Sequence, residues 1–172
     1  MAALTEVIEL FADVKTLIEL AYSGQQGVVR LLNPNDDANA PELDPDDRAR
    51  VITELVDDNL GRLARLESLL REEGESAVAA IDEQSADAAD AASARQASGQ
   101  RYQLAEEVRR RAAEGLAELV DHVARGSAEA ARAQAAETLT DLEELRRLFF
   151  SIVEHLAALL ADQGDTHDAT AT

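Results

Sequence analysis

His122 stands four residues after Glu118, a spacing that puts an imidazole and a carboxylate on one face of a helix and could supply two ligands to a metal ion. A dinuclear carboxylate bundle needs more than that: a Glu-x-x-His motif on each of two helices and two further inward acids. No Glu-x-x-His occurs in the sequence, and the remaining histidines are His155 and His167, the latter in a polar tail. A surface Glu–His pair is the expected identity of the constellation, a carboxylate metal bundle the weakest alternative, and no metal or cofactor is assigned. Cysteine is absent, which removes disulfides, thiolate metal sites and cysteine nucleophiles together.

The second oxygen-rich stretch lies in residues 33–44. Asn33, Asn35, Asp37, Asn39 and Asp44 fill positions 1, 3, 5, 7 and 12 of a twelve-residue frame like that of a calcium loop. Three departures argue against a cation there: Ala38 where the sharp turn wants glycine, Pro41 at the ninth position, and aspartate where a longer bidentate glutamate is needed. A polar surface connector is expected. Adjacent acids such as Asp57-Asp58 and Glu143-Glu144 point about 100° apart on a helix and cannot share a proton. There is no phosphate-binding glycine loop, nucleophile elbow or His-Glu-x-x-His. The chain is expected not to be an enzyme.

Charge narrows the partners. Acids outnumber bases 35 to 16, for a net charge of −19, and Lys15 is the only lysine. Such a field repels nucleic-acid phosphate unless a basic patch intervenes. The one candidate patch is Arg109-Arg110-Arg111, and Glu106 and Glu107 precede Arg110 and Arg111 by four residues, the spacing of helical ion pairs. A neutralised face is expected, with no direct nucleic-acid binding. The acid excess fits solubility or a salty cytoplasm better than mimicry of a phosphate backbone, because it is uneven. Residues 99–126 balance five acids with five bases, whereas 127–172 hold nine acids and three bases.

The elements that must position these groups are helices. Alanine, leucine, glutamate and arginine dominate, all strong helix formers, and no alternating β-branched or aromatic run competes. The expectation is an all-α fold, an elongated bundle of about four to five helices with coiled-coil-like antiparallel packing. A single domain is expected over 1–162, with a surface loop at 33–44 and a polar, disordered tail at 163–172. A first helix should run from about Ala3 to Tyr22, breaking at Ser23-Gly24 before a short continuation to Leu32. Asp44-Pro45-Asp46-Asp47 should start a second, reaching about Glu73. Residues 75–98, ten of them alanine and only Val78 and Ile81 large and apolar, read as a thinly packed helix or a linker. A third helix over 101–124 should turn at Gly126 into a fourth from Ala128 to about Ala161, the two forming an antiparallel hairpin.

Two apolar arcs are wider than one seam requires. Leu10, Leu17 and Leu20 lie off the stripe of Leu4, Val7, Phe11, Val14, Ile18 and Ala21, and Phe150 flanks the polar face beside Arg146 and Arg147. Such residues either face a second neighbouring helix or anchor a partner. They are the candidate interface: Leu10, Leu17, Leu20 and Phe150. The function expected is that of a protein-protein interaction or adaptor protein, a second copy of the chain included among its partners. The alternative is an acidic inhibitor or nucleic-acid mimic that occupies a basic protein. No stretch approaches the roughly 20 apolar residues of a membrane span, and the N-terminus carries acids where a signal peptide carries bases. A cytoplasmic location is expected.

Overall fold

A computed structural model describes residues 12–34, 43–84 and 88–150. Four helices follow in order: α1 (Val14–Leu32), α2 (Pro45–Gln84), α3 (Ala88–Ala124) and α4 (Ala128–Phe149). Each packs on two neighbours, α1 on α2 and α4, and α3 on α2 and α4, while the diagonal pairs barely meet. Cross-helix approaches fix the directions. Gly24 lies by Asn59 and Gly27 by Leu55; Gly74 lies by Tyr102; Gly115 lies by Thr138. Arg111 bonds Asp141 and Glu144, and Arg109 reaches Glu67. In every neighbouring pair the numbers rise on one helix as they fall on the other, so the bundle runs up, down, up, down.

The core is aliphatic. Leu17, Ile18, Val28, Val56, Leu63, Leu66, Leu116, Leu119, Leu142 and Leu145 are all fully or almost fully buried, with Ala105, Ala112 and Ala135 letting the rods come close. Several local signals explain where helices start and stop. The Asp44 carboxylate accepts the Asp47 amide at 2.8 Å, with Pro45 at the first helical position, as its sequence predicts. Gly126, at φ +69°, ends α3. Its amide bonds the Val123 carbonyl and the next amide that of His122, the paired closure that a left-handed residue after a helix permits.

Other boundaries differ from expectation. α1 starts at Val14, capped by Asp13, whose carboxylate accepts the Thr16 amide at 2.8 Å; the expected start at Ala3 lies outside the described residues. The helix also runs straight through Ser23-Gly24 to Leu32. Gly24 is there for proximity, because a Cβ on it would sit 2.6 Å from the Asn59 Oδ1. α2 does not end near Glu73, and α3 does not begin at Arg101. Both are helical through the alanine-rich stretch, with only 85–87 outside the described residues. α4 ends at Phe149, with Phe150 in extended conformation, short of the expected 161. Residues 151–161, the tail at 163–172 and most of the 33–44 loop lie outside the described residues.

Candidate interaction surface

The lengths of the helices create the surface. At 1.5 Å per residue, α2 and α3 span about 60 and 55 Å, but α1 and α4 only about 28 and 33 Å. The shorter helices stop at one level. There Tyr102 and Phe149 meet edge to face at 5.9 Å between ring centroids, and the Arg101 guanidinium lies 4.6 Å above the Phe149 ring. Glu73 is at the same level. Burial raises its pKa, and the charge of Asp13 adds to the rise while Arg101 opposes it. Burial likewise raises the Tyr102 phenol, with Glu73 adding to it. Beyond this level, residues 74–84 and 88–100 form an arm of two helices.

At the base of the arm is a shallow, mostly apolar groove of about 640 Å³, lined by Arg71, Gly74, Glu75, Val78, Gly99, Tyr102, Gln103 and Glu106. The stripe 71, 75, 78 continues that of the exposed Glu67, and 99, 103, 106 leads to the exposed Arg110, so the groove opens away from α1 and α4. Its two glycines differ in use. A Cβ on Gly74 would lie 3.2 Å from the Tyr102 ring, whereas one on Gly99 would meet nothing within 4 Å. Gly74 makes room for a side chain already in place. Gly99, inside a helix where glycine costs about 1 kcal/mol relative to alanine, leaves space that no described residue fills.

The residues singled out by sequence fall in different places. Leu17 is 1% exposed and belongs to the core, serving the two helices that flank α1. Leu20 is half-buried. Phe150 is half-buried against the core, with the Lys15 ammonium 5.4 Å from its ring centroid. Leu10 lies outside the described residues. Arg146, expected on the polar face, is instead 2% exposed. Its Nε donates to Glu19 at 2.7 Å and its guanidinium lies 4.1 Å over the Tyr22 ring. The arginine triplet is neutralised, but largely by other acids than expected: Arg109 by Glu106 and Glu67, Arg110 by Glu114, Arg111 by Asp141 and Glu144. Glu118 is exposed, and among the described residues no group of three metal-ligating side chains converges.

Sequence reasoning missed a polar layer in the bundle centre. Gln25 and Asn59 are fully buried. The Gln25 Nε2 donates to the Ala135 carbonyl at 3.0 Å, and the Asn59 Oδ1 accepts from Arg62 at 2.8 Å. The Gln25 Oε1 and the Asn59 Nδ2, an acceptor and a donor, have no partner among the described residues. The seam periodicity carries through Gln25 and Asn59, and that is the signal that could have placed them inside. No protein-family model matches the chain, and neither a curated protein nor a solved structure gives a match.

Proposed function

We propose that this chain is a non-enzymatic protein-protein interaction module, with self-association among its modes, and that it docks its partner at the base of the α2–α3 arm. The observation that carries the reading is the groove with Gly99 in its wall: two helices outrun the other two, and the unfilled space sits at their junction with the core. The partner that fits is an amphipathic helix with a few large apolar anchors, laid along the groove. Glu75 on the rim beside Arg71, within a chain of net charge −19, favours basic residues around those anchors, and the net field steers their approach. Leu20 and Phe150 are secondary anchor candidates.

Arginines interleave with the surface acids: Arg50 with Asp47 and Glu54, Arg125 with Asp121, Arg147 with Glu143. That lacing favours a steering field over a bare phosphate-like ridge. The test compares the full chain with Gly99→Arg, whose Cβ has no described atom within 4 Å and whose long side chain would occupy the groove. Affinity capture from the native cell, with light scattering for self-association, should give a companion or a dimer that the variant loses. A companion held equally by both proteins, or none with either, would reject the groove as docking site.

A further inference from the structure

We propose that residues 151–161 of this chain dock on the inner face of the α2–α3 arm, continuing the line of α4 and completing the bundle on its α3 side. This goes beyond the partner reading and uses the opposite face from the groove. Three-and-four steps carry the core of α2 from Leu70 to Ala77 and Ile81, and that of α3 back from Ala105 to Ser98, Ala94 and Ala91. Within the arm only Ala91 is buried among the residues whose exposure is described. Leu104 lies seven residues before Arg111, so it shares the flank of α3 that meets Asp141 and Glu144 on α4. It is 39% exposed and, among the described residues, the one large hydrophobic side chain left open. Ala97 continues that flank outward and is exposed too.

The occupant follows from reach, area and charge. The chain leaves α4 at Phe150 in extended conformation, level with Tyr102, where the arm begins. From Ser151 to Ala161 eight of eleven residues are apolar, and the charged stretch starts at Asp162. Coiled as a helix, eleven residues would span about 16 Å, the length of residues 74–84 of the arm. A second copy is a poor occupant. A face about 16 Å long and two helices wide offers on the order of 300 Å², short of the about 800 Å² per partner of a stable interface. A tethered segment needs far less, because its effective concentration is on the order of millimolar. The N-terminal segment carries Glu6 and Glu9, a poor match for an arm whose base on α2 already holds Glu72, Glu73 and Glu75. Residues 151–161 carry only Glu154 and His155 as ionisable groups, facing a stretch of α3 that holds Arg95 and Arg101.

The absence of cysteine makes a direct test simple. In the full chain, Ala97→Cys with Leu156→Cys should form an intramolecular disulfide under mild oxidation. Ala97→Cys with Val7→Cys should not, and Ala97→Cys alone should stay monomeric. Leu156→Asp with Leu159→Asp should speed hydrogen exchange over residues 91–104 about tenfold, with 108–119 unchanged. A disulfide through position 7, or a disulfide-linked dimer of the single variant, would replace the proposed occupant with the N-terminal segment or a second copy. No cross-link at 156 would overturn the proposal even if the double aspartate variant failed to fold. Gly99→Arg should leave both readouts unchanged, so loss of partner binding and loss of tail docking are separable.

Discussion

The two halves of the long helices α2 and α3 obey different rules. From Pro45 to Glu73 and from Arg101 to Ala124 they are flanked by α1 and α4, and leucine and valine fill the centre. Beyond that level, among the described residues, they have only each other, and alanine, serine and glycine take over. The backbone stays helical in both halves, so helix propensity and burial are separable here. Alanine suffices to hold the arm as helix, but it supplies little apolar area, and area is what fixes one side chain against another. The core half is specified by packing. The arm is specified by propensity and left available for contacts.

The largest expected effect that sharpens this contrast is Leu116→Ala. At 0% exposure it should cost about 2–5 kcal/mol in chemical denaturation, whereas Val78→Ala, at a half-buried position of the arm, should cost under about 1 kcal/mol. Comparable losses would erase the distinction. Next comes Gly115→Ala, whose Cβ would sit 2.6 Å from the Thr138 Oγ1 and 2.8 Å from the Gln134 Nε2. The Thr138 hydroxyl is held by its own bond to the Gln134 carbonyl, so overpacking should cost about 1–3 kcal/mol.

Asp13→Ala should cost about 1 kcal/mol through loss of the cap on α1. The hydrogen bond from Thr16 holds the Asp13 pKa below its ordinary value of 3.8. A depressed carboxylate contributes stability above the unfolded-state pKa and loses it as pH falls through the folded one. The gap between wild type and variant should therefore be full at pH 6 and close below pH 3.8, read as the difference in denaturation midpoints. The smallest change has the opposite sign. Gly99→Ala should stabilise the chain by about 0.5–1 kcal/mol, since the helix gains propensity and the methyl meets nothing. A loss of stability there would mean that the groove wall is already in use.

Much of the scaffold was legible in the amino-acid order. The stripe of Leu63, Leu66 and Leu70, the Asp44-Pro45 start and the turn at Gly126 all follow from local rules that tertiary contacts reinforce. Glycine misled elsewhere because it has two uses. At Gly126 it supplies a left-handed φ; at Gly24 and Gly74 it lets another helix's side chain approach, and only the folded arrangement distinguishes these. The cap at Asp13 was hidden because Phe11, Val14 and Ile18 keep the helical step across it. Arg146 was misplaced because composition ranks it polar, whereas its stem and guanidinium pack between Glu19 and Tyr22. The groove could not be foreseen at all, since it depends on how α2 and α3 lie side by side at Gly74 and Gly99.

Leucines and alanines at regular steps would pack nearly as well if one rod slid along another by seven residues. Gln25 and Asn59 make such slips unequal. Displaced by a heptad, the amide of Gln25 would lose the Ala135 carbonyl it now reaches and face hydrocarbon instead, a loss of about 1–3 kcal/mol for each stranded polar group. A buried amide that lowers total stability can in this way select a single alignment among several, and so decide how far the arm stands out from the rest of the molecule.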